Sequence, residues 1–351
     1  MNLTTIGSPK NILVIRLSAM GDVAMTVPVV RCLVQQNPHV KVTILSRAFF
    51  KAFFTDIPNV AFIEAQVSGK HKGVLGLFRL SRELKKLGFD GVADLHNVLR
   101  SNILLLFFKL YFMKVAQVDK GREEKKALTS GNQNTFKQLR STHERYADVF
   151  RKLGFTVDLS EHEFPERKPL NNKIQQLAGA DAKKWIGIAP FAQYGSKSYP
   201  LERLLKVIEQ LSASNDYTLL LFGGGKKEGS ILNNIQSKYP NTVNIVGKLS
   251  FEEELQLISN LDLMLSMDSG NAHIAAMYGV KVVTLWGVTH PYAGFYPFGQ
   301  DPENALLANR SKYPLIPTSV YGNKFPSGYE KAIASIDPDE VVEKIGNILN
   351  G

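Results

Sequence analysis

The stretch ILVIRLSAMGDVAMTVPVV, Ile12 to Val30, carries an apolar run through Ser18-Ala19-Met20-Gly21 to one carboxylate, Asp22, before a second apolar run. An acid in such a strand-to-helix corner has two uses. It can cap the helix that follows, because acidic side chains are favoured in a first helical turn. Or it can stand at the carboxyl end of a first strand, where open α/β sheets face their ligands, and take a proton from a substrate hydroxyl. The corner has no G-x-G-x-x-G phosphate loop, so it is not a standard dinucleotide site.

Three further stretches place reactive side chains after apolar runs. LMLSMDSGNAHIAAMYGVKVVTLWG, 263–287, delivers Asp268 and then opens a helix with Ser269-Gly270-Asn271. Free amides there could hold a diphosphate, whereas Asp268 would repel phosphate and suits sugar hydroxyls or a neighbouring amide. An Asp or Ser N-cap on a purely structural helix is the competing reading. His273, one turn in, reads equally as a ligand contact and as an ordinary helix-face histidine. LLLFGGGKKEGS, 219–230, leads a strand into Gly223, Gly224 and Gly225, then two lysines and Glu228. Glycines admit a ligand to backbone amides, though a plain tight turn explains the same residues. APFAQYGSKSYPLERL, 189–204, ends a strand around Lys197, a cation suited to a departing phosphate, although exposed lysines are usually just solvated. No metal constellation is visible: His-x-x-x-His and cysteine pairs are missing, and Asp337-Pro338-Asp339 reads as a helix cap.

These residues need elements to hold them. Strand candidates are 11–17, 41–46, 91–95, 185–191, 218–224, 242–247, 261–268 and 280–287, most of them nearly continuous in apolar residues. That pattern belongs to parallel strands covered on both faces. Helical patterns alternate with them, among them VPVVRCLVQQ, LSRELKKLG, HERYADVFRKLG, LERLLKVIEQLSAS, FEEELQLISN and NAHIAAMYG. The alternation predicts doubly wound α/β architecture. It breaks once, in the polar stretch 158–184, which predicts a linker near 165–180. The expected domains are 1–170, 180–335 and a terminal helix 336–351 capped by Asp337 with Pro338 in its first turn.

At 351 residues, 44% hydrophobic and 21% charged, the chain has material for two packed domains. The excess of 42 basic over 32 acidic residues, +10 in all, favours an anionic partner. The basic residues are scattered rather than gathered in one stripe, which argues against nucleic acid. Cys32 stands alone, so no intrachain disulfide or Cys-rich zinc site forms, in keeping with a cytoplasmic setting. The opening MNLTTIGSPK lacks a signal-peptide core. The apolar stretch ILLLFFKLYFM, 103–113, is shorter than the roughly 20 residues that span a bilayer, and it reads as a buried helix or a membrane-touching one.

Taken together and in order, IRLSAMGDVAMTVPVV, DLHNVLRSN, GSKSYPLERL, FGGGKKE and MDSGNAHIAAMYGVKVVTLWG resemble glycosyltransferase family 9, the ADP-heptose:lipopolysaccharide heptosyltransferases. The resemblance implies a GT-B fold: two Rossmann-like domains facing a central cleft, acceptor on the first and nucleotide-sugar on the second, with the C-terminal helix packing back towards the first domain. It implies inverting transfer with an ADP-sugar as donor co-substrate and no obligatory metal or cofactor. Carried over residue by residue, it makes Asp22 the general base. Lys197 meets the donor diphosphate, Glu228 lies near its ribose, and Asp268, Ser269, Gly270 and His273 stand near its sugar and phosphates, beside the Gly223–Gly224 turn. Arg100, Arg122 and Arg145 fall where such proteins carry basic residues towards a phosphorylated acceptor. His96 replaces a more usual Gln and bears on acceptor choice. The turn before Lys197, FAQYG, departs from the Thr/Ser-rich turn of the family.

The expected function is transfer of a heptose or related sugar from an ADP-sugar to a lipopolysaccharide-core or similar glycolipid, in the cytoplasm or at the inner face of its membrane. The acid of the opening corner would stand alone because an inverting transfer needs one base and no carboxylate nucleophile. A non-catalytic nucleotide-sugar-binding protein on the same scaffold is the alternative. A Rossmann-type epimerase or dehydrogenase is disfavoured, since the first strand has no glycine fingerprint.

Overall fold

The computed structural model describes residues 10–179, 183–214 and 216–351. The opening residues 1–9, which carry the expectation of no leader, and positions 180–182 at the edge of the expected linker lie outside them. The chain forms two compact units, Met1–Gly121 with Arg140–Glu163, and Arg122–Leu139 with Phe164–Gly351.

The first unit holds a parallel sheet of β1 (Asn11–Ile15), β2 (Lys41–Ser46), β3 (Val60–Glu64), β4 (Gly91–Asp94) and β5 (Lys114–Gln117), in the order β3-β2-β1-β4-β5. Its helices are α1 (Met20–Ala24), α2 (Thr26–Gln36), α3 (Gly73–Lys85), α4 (Leu99–Leu110) and α6 (Thr142–Leu153), while α5 (Arg122–Leu128) groups with the second unit. Leu13, Ile15, Leu77, Leu80, Leu104 and Phe108 form part of the core between the sheet and α3 and α4. The stretch read as a buried or membrane-touching helix is only half buried: Leu104, Leu105 and Phe108 face the core, and Leu106 and Leu110 face solvent. No described helix is long and apolar enough to cross a membrane.

After α5 the second unit continues with α7 (Asn172–Ala178) and then repeats the theme with six parallel strands. These are β6 (Lys184–Ala189), β7 (Tyr217–Leu221), β8 (Thr242–Asn244), β9 (Leu263–Met267), β10 (Lys281–Trp286) and β11 (Ala305–Leu307), ordered β11-β10-β9-β6-β7-β8. Helices α8 (Leu201–Ala213), α9 (Gly225–Gln236), α10 (Phe251–Ile258), α11 (Gly270–Ala276) and α12 (Pro338–Asn350) cover it. In both sheets the strand order reverses beside the first strand, between β1 and β4 and between β6 and β9, where doubly wound sheets open a crevice.

All eight strands read from apolar runs are present. Those missed, β3, β5 and β11, are edge strands whose residues are partly exposed, so their sequences lack the continuous apolar signature of a covered strand. Two expectations of organisation are corrected. Residues 122–139 belong to the second unit, because Leu128 and Leu139 pack on Ala293 beside Phe136, Tyr292 and Phe295, and the Leu139 amide donates to the Tyr292 carbonyl at 3.0 Å. The terminal helix, expected to pack back towards the first domain, is part of the second unit. Val341 and Ile345 of α12 join Leu204, Val207 and Ile208 of α8 in that unit's core, so this apolar face is already satisfied there. Its cap is as read, with Asp337 accepting from the Asp339 amide at 3.0 Å.

Two expected outcomes follow from this packing. Ile345 is fully buried, so Ile345→Ala should lower stability by about 2–5 kcal/mol in a urea titration, and no loss would place α12 off the core. His96 and His290 are both buried, and desolvation with nearby arginine charge pushes their imidazoliums down from 6.5 to about 3 and about 4. The unfolded chain therefore binds protons that the folded chain refuses. The contribution of each histidine is fully present above pH 6.5 and should fall towards pH 4 by about 1 kcal/mol per pH unit, opposed by Glu254, whose burial raises its carboxyl to about 7. Thermal unfolding across that range reads the slope. His290→Asn keeps an acceptor for the Tyr292 amide, which His290 Nδ1 meets at 3.1 Å, and should make the slope shallower.

Candidate active site

In the first unit the chemistry gathers where strands end. Arg16 follows β1 and is buried; its guanidinium donates to the Leu95 carbonyl at 2.7 Å and lies 5.8 Å from the Tyr146 ring. The same guanidinium meets Asp22 Oδ2 at 2.5 Å. Asp22 is thus not the solitary acid that its sequence neighbours suggested. It sits in the first turn of α1, and Oδ2 also receives the Ala19 amide at 3.4 Å, a long capping contact. The capping reading of the corner is thus partly met by this oxygen. Among the described residues Oδ1 has no partner, and the side chain is 32% exposed. The carboxylate is held at one oxygen and presented at the other.

β4 lies beside β1, with Asp94 opposite Ile15. Asp94 is fully buried and spent on structure: it accepts from the His96 amide at 2.8 Å and from the Gln117 side chain at 2.8 Å. That turn carries His96 to the β1–β4 crevice. Burial comes first in keeping His96 neutral, followed by the charges of Arg16 and Lys120; Asp22 opposes them and Arg47 adds to them. His96 Nδ1 is buried and without a hydrogen-bond partner among the described residues. Arg16, Arg47 and Lys120 follow β1, β2 and β5, and Asp22 lies at the start of α1, so the charges that act on His96 all stand at strand ends or at that corner. Arg47 and Lys120 were not singled out from sequence. Arg16 was visible as a charge ending an apolar run, which in a doubly covered strand is itself a signal.

The three arginines read as acceptor contacts do not gather within the first unit. Arg100 stands exposed in the first turn of α4. Arg122 opens α5 in the second unit. Arg145 is buried, donating to the Arg140 and Asp119 carbonyls at 3.2 and 3.4 Å, and Gly121 at φ +57° leaves room for its guanidinium. It holds the 119–121 turn that carries Lys120.

In the second unit β6 leads to Lys197 and β9 to Asp268, on the two sides of that sheet's crevice. Lys197 Nζ meets Asp268 Oδ2 at 2.9 Å, and the Thr289 hydroxyl donates to the same oxygen at 2.8 Å. Both charged side chains are nearly buried, 13% and 9% exposed. The free cation expected for a diphosphate is therefore already neutralised, and Asp268 grips Lys197 and Thr289. Gly322, at φ +85°, lies against the lysine stem: a Cβ there would sit 2.5 Å from Lys197 Cδ. Ser196 donates its hydroxyl to the Gly322 carbonyl at 2.5 Å, fixing the same loop. Thr289, Ser196 and Gly322 were not legible as site residues, since their part depends on packing between distant segments.

Ser269 is the N-cap of α11, but its hydroxyl pairs with Ser266 at 3.1 Å and caps no amide, so Gly270 and the first-turn amides are not closed by a side chain. His273 lies buried on that helix. The glycine turn behaves differently. Glu228 Oε2 accepts from the Gly224 amide at 2.6 Å, and Gly223 faces the same carboxylate and Phe191. Glu228 thus occupies the Gly224 amide, the contact that the plain tight-turn reading of this loop needs. No group of three or more metal-ligating His, Cys, Asp or Glu side chains occurs among the described residues.

Comparison with known proteins places these halves. The chain is 26% identical over 289 residues to the lipopolysaccharide core heptosyltransferase OpsX of Haemophilus influenzae, covering 81% of each. It is 26% identical over 360 residues to lipooligosaccharide heptosyltransferase 2 of the same organism, covering 97% of this chain and 99% of that one. Among solved structures, a family 9 glycosyl transferase from Veillonella parvula superposes with TM-score 0.73 at 20% identity over 97% of both chains. The E. coli ADP-heptose heptosyltransferase II follows at 0.68, over 97% of this chain and 98% of that one, also at 20% identity. The two parallel, Rossmann-like sheets are those of the GT-B fold. The profile of Glycosyltransferase family 9 (heptosyltransferase) matches residues 77–316, more than half of the chain, and the protein belongs to that family.

Proposed function

We propose that the protein transfers a heptose or related sugar from an ADP-sugar to a phosphorylated lipopolysaccharide-core or similar glycolipid acceptor, with inversion at the anomeric carbon. The observation that carries the reading is Asp22, ion-paired to Arg16 through Oδ2 and open at Oδ1, in the corner after β1. The names of the relatives, heptosyltransferases acting on lipopolysaccharide and lipooligosaccharide, support the substrate class. An E. coli heptosyltransferase solved with ADP, similar in fold, supports the nucleotide.

In this reading Oδ1 of Asp22 takes the proton of the acceptor hydroxyl as its oxygen bonds to the anomeric carbon. The bond from that carbon to the diphosphate oxygen breaks on the opposite face, so configuration inverts and the nucleoside diphosphate leaves with the electron pair. Arg16 fixes the direction of the carboxylate, doing for Asp22 what an orienting partner does for any general base. Arg47 and Lys120 suit phosphates on the acceptor. Charge growing on the leaving diphosphate draws on Lys197, whose ammonium carries three donors and needs one for Asp268, and on the uncapped amides of α11. Glu228, held against Gly224, is left to orient the donor ribose. His96 stays neutral and acts as a hydrogen-bonding wall for the acceptor.

Asp22→Asn should lower transfer by about 10²–10⁴-fold while calorimetry still finds ADP-sugar binding by the full chain. Retained turnover would overturn the assignment, and binding without turnover in the unmodified protein would favour the non-catalytic alternative. Lys197→Ala should weaken ADP binding and reduce kcat/KM by about 10²–10³-fold. It also leaves Asp268 nearly buried without its cation, so a lower Tm should accompany the loss. Unchanged ADP affinity would remove Lys197 from the donor site.

A further inference from the structure

We propose that the joined outer faces of α3 and α4 form a docking surface for an anionic lipid bilayer. Two neighbouring helices leave large apolar side chains in water here. Leu75 and Phe78 on α3 are 84% and 41% exposed, and Leu99, Leu106 and Leu110 on α4 are 76%, 56% and 64% exposed. On α4 they recur at positions 99, 106 and 110, with half-buried Ile103 between, which is one stripe of a helix. Phe78 meets Phe107 of α4 edge to face at 5.2 Å, so the two helices present a single continuous face. Scattered apolar residues on a surface call for no account, whereas a contiguous set on adjoining helices marks an interaction site.

Phe112, just beyond α4, adds an independent observation. It is 96% exposed and its φ is +58°, the left-handed region that a bulky residue adopts only at a cost. A backbone bent against preference to hold an aromatic ring in solvent is explained when that ring has an apolar medium to enter.

The charges choose the occupant. Arg79, Arg82, Lys85 and Lys86 lie exposed along α3 and its end, and Lys109 beside the stripe of α4. Lys85 packs 4.3 Å from the Tyr111 ring, which keeps its charge at the edge of the apolar face. The single acid of α3, Glu83, is taken up by Lys70 at 2.8 Å and His71, and α4 has no acid. Apolar anchors ringed by uncompensated cations match acidic headgroups above acyl chains. A second copy of this face would set cation against cation.

The test uses the full chain and sedimentation with vesicles, of phosphatidylcholine alone or mixed with phosphatidylglycerol. Binding to the anionic vesicles should exceed binding to the neutral ones by at least about tenfold and weaken with salt. Leu106→Ser with Phe112→Asn should cut it by about tenfold or more at unchanged Tm, Asn being tolerated at positive φ. Arg79→Gln with Arg82→Gln should abolish the preference for anionic lipid. Failure of the unmodified chain to sediment with anionic vesicles overturns the proposal. So does equal binding by the Leu106/Phe112 variant, or a dimer in light scattering that the same variant disperses. Because vesicle binding is read without sugar transfer, these outcomes are separate from the fate of the catalytic reading.

Discussion

A parallel sheet covered by helices on both faces has no room along its strands for an unpaired charge, because leaving water would cost several kcal/mol per ion. Charged side chains must therefore enter such a unit where strands start or stop. Both sheets of this protein obey that constraint. Arg16, Arg47, His96 and Lys120 follow β1, β2, β4 and β5, and Lys197 and Asp268 follow β6 and β9. The reversal of strand order next to β1 in one sheet and next to β6 in the other leaves a crevice in each, beside which that sheet's ends lie. The position of these side chains is a consequence of how each sheet is wound as much as of which residues were placed there.

The same constraint explains why the charges come in pairs. Arg16 is almost fully buried and is neutralised by Asp22, and Lys197 is nearly buried and is neutralised by Asp268. Each pair removes the penalty of a buried isolated charge, yet each leaves one group with unused hydrogen-bonding capacity: Oδ1 of Asp22 and the remaining donors of Lys197. A buried ion pair adds little net stability, so holding groups in a fixed direction is the more economical account of both. Asp94 and Arg145 serve beneath them, ordering the turns that carry His96 and Lys120.

How much could be read beforehand depended on the range of the interaction. Strands covered on both faces announced themselves by continuous apolar runs, and the cap of α12 by Asp337 and Pro338, because these signals are local. The edge strands β3, β5 and β11 lacked that signature because part of each meets solvent. Asp22, Lys197 and Asp268 were visible as polar residues closing apolar runs. Their partners were less so: Thr289 lies 21 positions from Asp268, and Gly322 is more than 100 positions from the lysine whose stem it accommodates. In the glycine turn the two readings left open by sequence are separated by one local contact. Its residues suit a phosphate loop, but the acid four positions on folds back onto the amide that a phosphate would need.

By itself the sequence determined the class of architecture, the approximate places where strands end, and the reactive residue types at those ends, since periodicity and turn chemistry act over a few residues. Only the tertiary structure decided that Asp22 shares Arg16, that Lys197 is held by Asp268, and that 122–139 and α12 complete the second unit. It also decided which half of the apolar stretch 103–113 is buried. Those outcomes depend on which distant segments pack together. Burial and charge pairing are properties of that packing, and no local pattern encodes them.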